Sequence, residues 1–258
     1  MQRLLIIFFF TPFLIGEGLP AWGQYNPGIR SIRPGSAVGT YTIGKRVIQL
    51  QSGLHFRNKE GRGLDQNSIF FKNVIRFGIT ERTEISAVIN WRKNKPDDPV
   101  IDGADQQGIS NLRLGGRVNL INKKEGLLRG LGLNGRIWLK VPQEGFQTEN
   151  PGGRIVLAAG LALPYKIRGG LNTGLLWRGN NQATESLYAF RLLRPLGKKV
   201  GVVAEMFGIT DRWEPDYGTG IYLFLSNDFK IDLYMAFLGE KEIEDTYLEV
   251  GVSWRMKY

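Results

Sequence analysis

Residues 246–258 read TYLEVGVSWRMKY, and taking every second position splits them into two unlike faces. One face carries Thr246, Leu248, Val250, Val252, Trp254, Met256 and Tyr258; the other carries Tyr247, Glu249, Gly251, Ser253, Arg255 and Lys257. A period of two, apolar on one side and polar or small on the other, marks a strand between two different environments. Strands of soluble proteins usually run about 5–6 residues. A strand that crosses a bilayer at a tilt of roughly 45° needs about 9–11. The length favours a membrane-crossing strand, with an edge strand of a soluble sandwich as the alternative.

The same alternation recurs upstream. Residues 46–57 set Ile48, Leu50, Leu54 and Phe56 against Gln49, Gln51, Gly53, His55 and Arg57. Residues 69–79, 83–92 and 110–120 repeat the pattern, and it continues through 131–141, 154–163, 171–177, 187–193, 200–207, 217–225 and 229–237. With 246–258 these make about twelve strands, and an even number returns both ends to one side of a membrane. The connections alternate between short turns, such as 80–82 and 226–228, and mostly longer loops, such as 58–68 and 93–109. Short periplasmic turns and longer external loops are the habit of outer-membrane barrels. By the same parity, Phe56, Phe71, Trp91, Trp177 and Phe237 face lipid at the outer rim, and Phe77, Phe229, Trp254 and Tyr258 at the inner rim. These are the two aromatic girdles that interfacial anchoring requires. The expected fold is therefore all-β, an antiparallel transmembrane β-barrel of about twelve strands with a polar, basic lumen. Two residues disturb the parity: Asn73 falls on the lipid face and Trp138 falls inward, and a β-bulge would account for either.

The segment 246–258 also resembles the C-terminal signal that the barrel-assembly machinery recognises, a closing aromatic preceded by alternating hydrophobics. Tyr258, Met256, Trp254 and Val252 stand in those places. At the other end, Arg3, an apolar run over 4–15 and the small-x-small group Ala21-Trp22-Gly23 are laid out like a secretory signal. The expected division is a signal peptide at 1–23, an irregular periplasmic or plug segment at 24–45, and an outer-membrane β-barrel at 46–258. That places the protein in the outer membrane of a Gram-negative cell, among lipid and lipopolysaccharide.

The 258 residues suit one large domain, and the absence of Cys removes disulfides, thiol nucleophiles and thiolate metal sites. One His excludes a multi-histidine metal centre. The formal charge of +10, from 34 Lys and Arg against 24 Asp and Glu, points to anionic partners. Nucleic acid is not among them, because the positive residues alternate along strands of an exported chain instead of forming a stripe with stacking aromatics.

Inward parity gathers His55, Arg57, Lys72, Arg76, Arg92, Arg113, Arg117, Arg136, Lys140, Arg154, Arg191, Lys230, Arg255 and Lys257. Facing them are only Glu84, Glu205, Asp232 and Glu249. Such a wall either favours anions in transit or simply solvates a wet interior braced by ion pairs. His55 is expected inward, near Glu249 where the first and last strands meet, while Ser52 lies on the opposite face, so the two do not make a hydrolase pair. Asp97, Asp98, Asp102 and Asp105 form an acidic outer loop, either solvated or able to hold Ca²⁺. No catalytic, cofactor or metal residue is assigned, and no cofactor is expected.

Four phrases carry a family resemblance: Arg33-Pro34-Gly35, GKRVIQLQSG over 44–53, RFGITERTE over 76–84 and VAEMFG over 203–208. Across residues 30–258 the chain resembles the outer-membrane barrels grouped as transporters of the meta-pathway of phenol degradation. The resemblance implies a barrel and transport, and transfers no functional residue. Three readings remain: passive passage of a small solute, with anionic or aromatic-acidic solutes favoured; a non-conducting structural or surface-binding barrel; and an outer-membrane lipid-modifying enzyme.

Overall fold

Twelve antiparallel strands follow one another around a closed ring, each paired to the next and the last paired back to the first. The computed structural model describes residues 28–29, 33–61, 66–96, 106–140, 146, 150–179, 182–211, 214–240 and 243–258. The strands are β1 (Val47–Glu60), β2 (Gln66–Gly78), β3 (Thr83–Pro96), β4 (Gln106–Asn122), β5 (Leu128–Leu139) and β6 (Gly153–Ala162). They continue as β7 (Arg168–Trp177), β8 (Glu185–Pro195), β9 (Val200–Ile209), β10 (Asp216–Phe224), β11 (Phe229–Glu240) and β12 (Ile243–Lys257). Each expected strand is present, and the closing seam runs from Val47 opposite Lys257 to Glu60 opposite Glu244. The wall is taller on one side: β1–β4 have 13–17 residues and β6–β10 only 9–11.

Burial is inverted relative to a soluble protein. Leu, Ile, Val, Phe and Trp side chains of alternate positions form a continuous exposed belt, while Gln49, Arg76, Asn119 and Ser253 are fully buried. An exposed apolar surface of this extent needs lipid to cover it. Phe56, Phe71, Trp91 and Phe237 stand exposed toward one rim and Trp254 and Tyr258 toward the other, as the girdles require.

Both parity misfits are genuine side-chain placements in regular register, without a bulge at either. Asn73 does face outward, where Ser52 of β1 donates to its Oδ1 at 2.7 Å, so the two polar groups satisfy each other against lipid. Trp138 does face inward, with the Arg113 guanidinium 4.8 Å from its ring centre. Register shifts occur elsewhere, between Asn90 and Trp91, between Asn119 and Ile121, and between Leu128 and Gly130.

A labelling experiment checks the wall. Leu114 and Val250 are 46% and 48% exposed on the outward face. Cysteines placed there should react with lipid-soluble maleimides in membranes and resist charged ones; equal reaction with both reagents would mean that no lipid face exists.

Candidate functional site

The segment before β1 lies against inward-facing side chains all the way round the ring, like a collar. Arg33 sets its guanidinium between Asp232 of β11, at 3.1 Å, and Glu249 of β12, with which it forms a close ion pair. Room for that guanidinium comes from Gly53 and Gly251, which face each other across the seam; a Cβ on either would collide with it. Next, the Glu205 carboxylate of β9 accepts from the backbone N–H of Ser36 at 2.7 Å and of Ala37 at 3.4 Å. Asn172 of β7 accepts from Val38 N–H at 2.6 Å and donates to Val38 O at 3.0 Å. Thr40 then packs over Gly130, Gly132 and Gly160 of β5 and β6. Arg117 of β4 donates to Tyr41 O at 2.9 Å, and Glu84 of β3 accepts from Ile43 N–H at 2.9 Å. An extended chain with no strand partner needs acceptors and donors for its backbone, and the barrel wall supplies them as side chains.

The carboxylates expected to line the lumen are thus largely engaged. Glu84 accepts from Arg76 Nε at 2.8 Å and Nη2 at 2.7 Å, an enclosed bidentate pair. Glu205 also accepts from Tyr234 Oη at 3.0 Å and lies 3.0 Å from Arg191 Nε. Lys230 Nζ contacts the carbonyl of Arg33 and stands 3.7 Å from Asp232. His55 meets Glu249 at 3.2 Å across the β1–β12 seam, its ring between Phe70 and Tyr247. With Ser52 outward and bonded to Asn73, these two residues do not assemble a serine nucleophile.

Away from the acids of β9, β11 and β12, a group of cations clusters on β4, β5 and β6. Arg136 of β5 and Arg154 of β6 are direct cross-strand partners, and Arg113 and Arg117 stand beside them on β4. Lys72 faces inward on β2 and feels the positive charge of Arg113 and Arg136. Nearer the outer rim, Arg92 stacks on Phe70 at 4.4 Å, and Arg57 pairs with Asp245. Two of the expected lumen cations lie elsewhere: Lys140 follows the end of β5 and is exposed, and Lys257 is exposed at the edge of the ring. Arg255 stays inward and buried near the end of β12, held by Asp228 at 2.6 Å and donating to Gly28 O at 3.3 Å.

Between collar and wall remains a cavity of about 200 Å³, bounded by Ile29, Arg33, Gly39 and Tyr41 from the collar and by Arg117, Arg168, Arg191, Tyr222, Phe224 and Lys230 among the wall residues. Tyr222 and Phe224 meet edge to face at 5.3 Å, with Lys230 Nζ 5.5 Å from the Tyr222 ring centre. Among the described residues no carboxylate lines the cavity; Glu205 and Asp232 are paired with Arg191 and Arg33. Parity found the cations but missed the role of Arg33 and the aromatics Tyr222, Tyr234 and Tyr247. Inward glycines at Gly53 and Gly251 were the available signal, since a gap in a lumen-facing row has to be filled from inside. Among the described residues no group of acidic and His side chains is arranged to hold a metal ion, and Asp97, Asp98, Asp102 and Asp105 of the proposed Ca²⁺ loop fall outside them except as sequence.

No protein-family model matches the chain, and no curated protein matches it. Solved structures do. An outer membrane channel from Pseudomonas putida F1 superposes with a TM-score of 0.64 at 10% identity, over 88% of this chain and 100% of that one. A KdgM porin matches with a TM-score of 0.53 at 9% identity, over 78% and 98% of the two chains. The outer membrane phospholipase A of Escherichia coli matches at 0.51 and 8% identity, over 91% and 98%. At these identities the likeness concerns the fold, which channels and an enzyme share. The closed ring of strands, the apolar belt and these matches together identify the chain as a twelve-stranded β-barrel with the fold of outer-membrane proteins.

Proposed function

We propose that this barrel lets small anionic solutes, aromatic acids among them, pass the outer membrane passively, and that residues 24–45 act as its plug. The observation that carries the reading is the cavity left beside the collar. Its charged lining groups among the described residues are all cations, its walls include Tyr41, Tyr222 and Phe224, and its volume is about 200 Å³. A cavity of about 150 Å³ accommodates benzene, so one ring with its carboxylate is of the right size. Guanidinium groups favour anions over cations in a pore. The resemblance to phenol-pathway barrels bears on the fold and on transport, not on the solute, and the porin-like fold agrees with passage.

Arg76, although buried in the lumen, is neutralised by Glu84, so selectivity is better assigned to Arg117 and Arg168 on the cavity wall. Reconstituted protein under a salt gradient should show a reversal potential of anion preference. Changing Arg117→Glu together with Arg168→Glu should move it toward cation preference, most clearly in dilute salt, because the screening length is about 10 Å at 0.1 M. A reversal potential that the double change leaves in place would reject this assignment. The competing reading, a non-conducting barrel, draws on the many bonds between collar and wall, and a complete lack of current in full-length and collar-deleted protein would favour it.

A further inference from the structure

We infer that Arg113, Arg117, Arg136 and Arg154 form a discrete binding site for a small dianionic oxyanion, on the β4–β6 wall above the collar. The inference deepens the proposed anion passage and rests on it for the route by which the ligand arrives.

Arg136 and Arg154 face each other directly across the β5–β6 ladder. Like charges in that position are destabilising unless something lies between them. Arg136 also feels the charge of Arg117 and Arg113. What neutralises the group is the question. Arg113 has a neutral amide, Asn111 Oδ1 at 2.6 Å, and the Trp138 ring. Arg117 has the Tyr41 carbonyl, with Glu84 at 3.8 Å already bound to Arg76. For Arg136 and Arg154 no hydrogen bond or ion pair forms among the described residues, and the Nε of each is buried without a partner. Arg136 is only 4% exposed. The far carboxylates Glu205, Asp232 and Glu249 are occupied by the collar, Arg33 and Arg191.

Burying an unpaired cation is costly, and proteins relieve it with a counter-charge that also fills the hydrogen bonds. Guanidinium forks are matched to two oxygens on one centre, so carboxylate and phosphate fit where chloride makes a single contact. Two neighbouring forks with two more cations alongside suit two negative charges. The shared chemistry is that of a dicarboxylate or a phosphate.

The test uses the full chain folded in detergent micelles, titrated calorimetrically at constant ionic strength with sodium succinate, sodium phosphate or sodium chloride. Binding in micelles does not require conduction, so its failure and the failure of the passage reading are separate results. Saturable binding of succinate or phosphate, with chloride giving none, is expected, and whichever of the two binds identifies the source of the oxyanions. Arg136→Gln with Arg154→Gln should weaken binding by at least an order of magnitude. Folding of that variant is checked by its melting temperature without added oxyanion, which should equal or exceed the original because a repulsion has been removed. Arg154→Lys, which keeps the charge and loses the fork, should give an intermediate loss. Absence of saturable binding to the original protein, or equal binding by the double variant, overturns the site.

Discussion

Deleting residues 24–45 should raise the unit conductance of the reconstituted barrel several-fold. Twelve strands enclose more space than the eight whose side chains fill the interior, and here the collar runs inside it, in contact with β3, β4, β7, β9, β11 and β12. Arg33→Ala is the single-residue version. It leaves Asp232 and Glu249 buried without their shared guanidinium, and breaking a buried pair from one side costs about 3–5 kcal/mol. The first part of the collar should then detach, while Asn172 and Glu84 keep hold of Val38 and Ile43. Single-channel recording should show larger, flickering openings in Arg33→Ala and steady large ones in the deletion. Identical conductance in all three proteins would mean the collar does not limit the path.

Removing residues 256–258 should reduce the folded protein in outer-membrane fractions to a small fraction of the full-length level, with export unaffected. Met256 lies opposite Ile48 and Lys257 opposite Val47, at the inner end of the seam that closes the ring. Tyr258 N–H donates to Arg46 O at 3.0 Å, tying the last residue to the turn from which β1 starts. Without these residues the seam begins with an unpaired edge, which is a liability for any sheet, and the resemblance to an insertion signal is lost as well. Quantifying heat-modifiable barrel in membrane fractions checks this. An unchanged amount would separate the closing aromatic from assembly.

Strands were legible because each stands between lipid and a polar interior, and that contrast imprints a period of two on every one of them. The contrast is local, so it locates β1 or β12 without knowledge of the rest. It also placed His55 beside Glu249, since closure of an even ring forces the first and last strands together. Ion pairing was less legible. Arg76 and Arg117 look alike by parity, yet one is locked to Glu84 and the other reaches the collar. Glu84 lies eight residues from Arg76 and directly across the ladder from Arg117, so proximity alone does not say which arginine it locks, and the bond from Arg117 to Tyr41 goes to a segment that has no period of its own. Asn73 likewise looked anomalous only while its partner Ser52, on the adjacent strand, was unknown.

The collar also imposes an order on assembly. Its bonds span sequence separations of 199 residues from Arg33 to Asp232, 169 from Ser36 to Glu205 and 134 from Val38 to Asn172. The earliest-made part of the barrel domain therefore finds its partners only after almost all the rest is in place. Contacts of such range form late because the chain between them must first be organised. Glu84, Glu205, Asp232 and Glu249 sit on four different strands, and a single extended segment can satisfy all four only if those strands stand at their proper angles around the ring. A barrel closed with one strand missing or slipped would be left with buried carboxylates and an undocked, protease-sensitive N-terminal segment. Docking of the collar thus distinguishes a correctly counted ring from a miscounted one.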